Sequence, residues 1–230
     1  IHGTGCHGQV FATHLQTLSS TYEAVAIDLP GHGQSEGKGF RSAVEHAFFV
    51  GALIDHLQWD RCVVAGHSLG GGIALSVAIY FQPRLLALML IDTGARLRVN
   101  PKSLDVARRA AGAGGPTVDS RRFGFADSTP QSVVDSVNTL NAGCDLDVKY
   151  KDWIADDSFD VMTRLGQIEI PTLAVCGTED PLTPPKYHEF LRDNMPNCRL
   201  ELVQNAGHWP FFENPTQFNE TVSAFLQSLA

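Results

Sequence analysis

Two kinds of apolar pattern alternate along this chain. Short runs that are largely apolar occur at residues 24–27, 62–65, 85–91, 170–176 and 199–203. Each has the length of a strand, and they lack the strict every-second-residue alternation of a sheet with one wet face. Between them apolar residues recur at helical spacing. Residues 42–57 place Val44, Ala47, Phe48, Leu53, Ile54 and Leu57 on a helix, and Ile73, Ala74, Leu75, Val77 and Ala78 predict a buried one. A shorter helix is expected at 10–18. The last begins with Asn214 as N-cap and Pro215 at its first position, and carries the stripe Phe218, Val222, Phe225, Leu226 and Leu229. Strands alternating with helices predict an α/β fold with a mainly parallel sheet covered on both faces.

The alternation stops between Arg96 and Gly166. That stretch holds helical segments around 103–111, 131–140 and 159–165, broken by Gly112, Gly114, Gly115 and Pro116. It is expected to be a helical insertion over the sheet. The implied division is a core of 1–95 and 167–230 with a cap of 96–166.

Composition narrows the class. The chain has 230 residues, 43% hydrophobic and 18% charged, which is the globular range for one domain. Seventeen basic against 25 acidic residues give a net charge of −8, and only Arg108-Arg109 and Arg121-Arg122 pair basic residues. Nucleic acid is therefore not expected as a partner, and no apolar run is long enough to span a membrane. The five cysteines, Cys6, Cys62, Cys144, Cys176 and Cys198, form no C-x-x-C pair. Neither a metal site nor a disulfide framework is suggested, and reduced thiols in a cytoplasmic protein are the expectation.

The chemistry centres on Gly66-His67-Ser68-Leu69-Gly70, a G-x-S-x-G sequence between a predicted strand and a predicted helix. That context makes it a nucleophile elbow, a strained turn that presents the serine hydroxyl at a helix N-terminus. A serine needs a base, and the base needs an orienting acid. Of nine histidines, His208 is the candidate base. It lies in a loop just after the last predicted strand, facing the same crevice as the elbow. His67 adjoins Ser68 and is badly placed to reach back. His2, His7 and His32 sit in glycine-rich turns that could line the site. His14, His46, His56 and His188 fall on predicted helices and are expected at the surface. Glu179, Asp180 and Asp92 all satisfy the chain order serine, acid, histidine; the turn from Gly177 to Pro184 would hold Asp180 rigidly and favours it.

An oxyanion hole needs two converging N–H donors. Leu69 supplies one; the other is expected from Thr4 in the first glycine-rich turn. The spacing of Gly3, Gly5 and Gly8 also fits a dinucleotide turn, without the acidic partner such turns require. Phe123, Phe125, Leu140, Trp153, Phe159 and Met162 in the insertion, with Trp209 beside His208, are the candidate substrate-binding residues.

These motifs together resemble the α/β-hydrolase superfamily over essentially the whole chain. The carriers are His2-Gly3-Thr4, residues 28–35 (Asp-Leu-Pro-Gly-His-Gly-Gln-Ser), the elbow, Gly177 to Pro184, and Gly207-His208-Trp209-Pro210 with Glu213-Asn214-Pro215. The resemblance implies a triad of Ser68, Asp180 and His208 at the carboxyl edge of the sheet and a cap shaping an acyl pocket. It implies a cofactor-free serine hydrolase of small carboxylic esters or lactones. The alternatives are a C–C bond hydrolase using the same triad and a non-catalytic ligand-binding receptor. Dehalogenase and epoxide-hydrolase chemistry is disfavoured, since such relatives carry a carboxylate where Ser68 stands. Family members usually have two or three further strands before the His-Gly turn, so an exposed sheet edge is expected.

Overall fold

The computed structural model describes residues 1–113 and 122–229. Gly114, Gly115, Pro116 and Arg121 lie outside them. Four parallel strands, β1 (Cys62–His67), β2 (Leu85–Ile91), β3 (Thr172–Gly177) and β4 (Cys198–Val203), stand in the order β1-β2-β3-β4. Ala65 pairs with Met89, Leu90 with Ala174, and Ala174 with Leu200. Parallel neighbours need crossovers. The helix α3 (Leu69–Phe81) follows β1, and α7 (Pro185–Asn194) joins β3 to β4.

The strand period of two sorts the core. Leu88 and Leu90 face one side with α2 (Ala43–His56), α3 and α7, through Val50, Ile73 and Leu191. Ala87, Met89 and Ile91 face the other with α9 (Pro215–Gln227), which follows the single turn α8 (Pro210–Glu213), through Phe218 and Val222. The expected cap at Asn214 forms, and Ser42 supplies another. Ser42 Oγ accepts from Val44 N–H at 3.2 Å, and the Asn214 side chain caps α9.

Several elements differ from expectation in kind or bounds. Residues 24–27 make no ladder with any described residue. A strand requires a partner backbone, and the backbone bonded along the free side of β1 is that of Ile1, whose N–H donates to Ala65 O and whose O accepts from His67 N–H. Residues 24–27 instead line an apolar cavity of about 450 Å³ whose walls include none of Ser68, Asp180 and His208. The expected helix at 10–18 is a 3₁₀ turn, Gly8–Phe11, leading into α1 (Ala12–Leu18), and that at 159–165 is a 3₁₀ segment at Met162–Gln167.

Between β2 and β3 lie α4 (Pro101–Ala113), α5 (Gln131–Leu140) and α6 (Leu146–Ser158). Residues 95–97 and 159–161 lie side by side. Arg96 and Asp160 form an antiparallel bridge, flanked by Leu97 N–H to Phe159 O at 3.2 Å and Val161 N–H to Ala95 O at 2.8 Å.

Candidate active site

Ser68 occupies the sharp turn from β1 into α3 with φ 55° and ψ −122°. A non-glycine residue pays strain energy there, so its neighbours must over-determine the turn. They do so with backbone bonds. Ser68 N–H donates to Ile91 O at 3.0 Å, and Ser68 O accepts from Gly71 N–H and the Thr93 hydroxyl, both at 2.8 Å. The turn is also closed too tightly for side chains: a Cβ on Gly66 would lie 2.0 Å from Gly70 O. Among the described residues nothing accepts from Leu69 N–H or Thr4 N–H. The first glycine-rich turn lies against the serine, since a Cβ on Gly3 would be 3.0 Å from Ser68 Cβ.

The acid and the imidazole come from the loops after β3 and β4. His208 Nδ1 and Asp180 Oδ2 lie 2.9 Å apart, both side chains buried. Asp180 also accepts from Leu182 N–H at 2.7 Å, Thr183 N–H at 3.1 Å and Thr183 Oγ1–H at 2.7 Å. Burial opposes its charge, but His208 and these bonds hold its pKa well below the usual carboxylate range. His67 bridges the elbow and this loop. Its Nε2–H donates to His208 O at 2.7 Å, and the two rings pack with centroids 4.8 Å apart. Burial, then the neighbouring His208, pushes the His67 pKa far down, so it is a neutral structural imidazole.

Asp92, the competing acid, is fully buried at the end of β2. Its Oδ1 accepts from Gly177 N–H at 2.9 Å and its Oδ2 has no partner. Burial and the charge of Asp180 push its pKa well above the ordinary value. Both effects disfavour the charged form of Asp92, which is the form that balances an imidazolium. Polar atoms of Asp92, Cys176 and Asp180 lie within 4.8 Å of one another. Both Asp180 oxygens are nevertheless already engaged, which leaves poor ligands for a metal ion.

The candidate pocket residues occupy different environments. Phe125 is buried and stacks on Trp209 at 6.0 Å, and Phe123 and Trp153 pair at 6.2 Å. Leu140 is half-buried and its carbonyl accepts from His7 Nε2–H at 2.6 Å. Phe159 lies in the main core against Gly72 of α3, and Met162 packs on the same core.

Four other histidines are buried with assigned duties. His2 Nδ1–H donates to Gly3 O at 2.9 Å while its Nε2 accepts from Leu29 N–H at 3.1 Å, tying the first turn to the 28–35 turn. His32 pairs with Asp152. His188 Nε2 accepts from Thr93 N–H at 3.0 Å, and His14 reaches Asn219. Contrary to expectation, His14, His46 and His188 are buried; only His56 of the helical set is exposed. Glu213 has a part that its place in a motif did not foretell. Its Oε1 accepts from Gly207 and Trp209 N–H at 3.0 Å each, and its Oε2 from Ala126 N–H at 2.9 Å and the Thr129 hydroxyl.

A model of the alpha/beta hydrolase family matches residues 1–221. The chain belongs to that family. A solved thermophilic esterase is 31% identical, covering 100% of this chain and 88% of its own, with a TM-score of 0.79. The enol-lactonase of Burkholderia xenovorans LB400 superposes with a TM-score of 0.89 over 98% of this chain and 89% of its own, at 23% identity, a likeness of fold. The pimeloyl-(acyl-carrier protein) methyl ester esterase of Neisseria meningitidis serogroup C is 27% identical over 246 residues, covering 100% of this chain and 93% of the relative. The protein is thus an enzyme of the alpha/beta hydrolase type, and no helix among its described residues is long and apolar enough to cross a membrane.

Proposed function

We propose that this hydrolase cleaves small carboxylic esters or lactones through an acyl-enzyme on Ser68. The observation that carries the reading is the strained Ser68 turn, linked through His67 to a loop in which His208 meets a charged, fully hydrogen-bonded Asp180. Ser68 Oγ attacks the carbonyl carbon as His208 Nε2 takes its proton. Asp180 holds the Nδ1–H of His208 and stabilises the imidazolium. The carbonyl oxygen, now an anion, accepts from the N–H groups of Leu69 and Thr4, which lack partners among the described residues. His208 then protonates the departing alkoxide. Water, deprotonated by the same imidazole, attacks the acyl carbon and returns Ser68 to its hydroxyl form. No step calls for a cofactor. The named activities of the relatives, an esterase, a methyl ester esterase and an enol-lactonase, agree with this substrate class.

Residues 96–166 act as the cap, and the core is 1–95 with 167–230. The bridge between Arg96 and Asp160 at the foot of the insertion supports that division. Phe123, Trp153 and Trp209, with Phe125 behind them, supply the apolar side of the acyl site. The test is turnover of p-nitrophenyl esters of rising chain length and of simple lactones by the wild type and by Ser68→Ala. The reading expects turnover that Ser68→Ala removes. Saturable binding without any turnover would favour a receptor.

A further inference from the structure

The helix α6 buries two carboxylates where an apolar helix face is expected. Asp152 is inaccessible to solvent, and the Oδ1 atoms of both Asp152 and Asp156 are buried without partners among the described residues. The residues are one turn apart, so they share a face. That face meets the first glycine-rich turn. Asp152 Oδ2 accepts from Gly5 N–H at 2.8 Å and from His32 Nε2–H at 2.8 Å. Asp156 Oδ2 accepts from the Thr4 hydroxyl at 2.5 Å.

We propose that Asp152 and Asp156 are positioning residues for the oxyanion hole, fixing the Thr4–Gly5 turn from the insertion. The inference rests on the serine-hydrolase reading and deepens it. A four-residue turn of this kind has two standard forms that differ by one peptide rotation. Cys6 N–H bonds to Gly3 O at 3.1 Å and Gly5 has φ +65°, while Thr4 is not in the left-handed region, which is the type II form. Rotating the central Thr4–Gly5 peptide converts such a turn to type I and takes Gly5 N–H off Asp152; Thr4 N–H belongs to the preceding peptide, and it loses the anchored neighbour that fixes its direction. Gly5 N–H is the handle on that peptide, and Asp152 holds it. The Thr4 hydroxyl is the handle on the adjoining residue, and Asp156 holds that. A fold seeking only stability gains little from such half-satisfied buried carboxylates, since apolar residues of similar volume do as well or better.

The charges are arranged to spare the oxyanion. Burial disfavours His32 as a cation, but its hydrogen bond to Asp152 and the charge there raise its pKa, so the pair favours a proton on His32. Asp156 faces the Thr4 hydroxyl, Asp152 on its own helix and the adjacent Asp157. Around them stand His32 and His46, which act on Asp152, and the stem of Lys149 on Gly5. Burial, reinforced by Asp152 and Asp157, pushes Asp156 up to about 8. Below that pH it is a neutral acid; above it a carboxylate charge appears beside the oxyanion donor and opposes the developing anion.

The experiment measures kcat per active site with p-nitrophenyl butyrate, sites being counted by covalent labelling with a fluorophosphonate. Misfolded molecules do not label and are not counted. Asp152→Ala and Asp156→Ala are expected to lose roughly 10- to 100-fold in kcat per labelled site with KM little changed, a fraction of the loss for deleting an oxyanion donor outright. Asp156→Asn, which still accepts from Thr4, is expected to keep kcat at pH 7 and to lose the decline in kcat above pH 8. Wild-type kcat per labelled site in both alanine variants would overturn the proposal, as would an unchanged alkaline limb in Asp156→Asn. Failure of the wild type to label at Ser68 would overturn the serine-hydrolase reading and this proposal with it.

Discussion

Replacing Glu213 by alanine removes one carboxylate from four donors on two separate parts of the chain. Gly207 and Trp209 flank His208; Ala126 and Thr129 lie between α4 and α5. The same junction is tied by His208 N–H to Gly124 O at 2.6 Å and by Trp209 Nε1–H to Phe123 O at 3.3 Å. Hydrogen bonds to a charged group are worth about 1.5–3 kcal/mol each when buried, and Glu213 is half-buried, so about 1 kcal/mol per bond, or about 4 kcal/mol in all, is the working figure. For a protein of this size, 1 kcal/mol moves Tm by about 2–4 °C, so Glu213→Ala is expected to lose roughly 8–16 °C. Glu213→Gln keeps one acceptor oxygen and is expected to lose about half as much. Because the freed N–H groups bracket His208, kcat should fall in both variants even well below their Tm. Thermal unfolding and initial rates with a short p-nitrophenyl ester check this. A Tm for Glu213→Ala within about 2 °C of wild type, with unchanged kcat, would refute the clamp.

Other outcomes follow from the same geometry. Asp180→Asn should lose about 10³–10⁴ in kcat/KM, whereas Asp92→Asn, which keeps the acceptor for Gly177 N–H, should lose only a few-fold; a larger loss for Asp92→Asn would exchange the two roles. The Asp92 pKa is raised on folding, so the native state holds this proton more tightly than the unfolded chain, and its contribution to stability declines as pH rises above about 4. The Tm of Asp92→Asn relative to wild type should therefore become more favourable from pH 4 to pH 8. Gly66→Ala should fail to give folded protein, since its Cβ meets the rigid backbone of Gly70, while Gly112→Ala, with open space around its Cβ on α4, should be neutral or stabilising by up to about 1 kcal/mol in thermal unfolding. Phe123→Ala or Trp153→Ala should shift the preferred acyl length more than the rate on acetate esters, as a chain-length series would show.

The elbow is legible because its signals are local. An apolar run, G-x-S-x-G and a buried helix follow one another within 62–78, and the structure sets β1, Ser68 and α3 there. Asp180 and His208 are legible because a loop after a parallel strand faces a known edge. Residues 24–27 mislead because strand propensity does not supply a partner. The helix α6 escaped notice for a different reason. Its buried residues are Val148, Asp152 and Ala155, and the acid in the middle of that stripe hides its amphipathic period. His46 and His188 fall on buried helix faces, where imidazoles with lowered pKa values take positions that polarity alone assigns to solvent.

The most direct measurement is the mass of the enzyme quenched by acid during turnover of p-nitrophenyl butyrate, followed by peptide mapping. An acyl-enzyme mechanism predicts one butyryl group per chain, located on Ser68, absent from Ser68→Ala and released on standing in water. Steady turnover with no butyrylated Ser68, in enzyme quenched within its first turnovers and in an Asp180→Asn variant, or with the label on another residue, would contradict it.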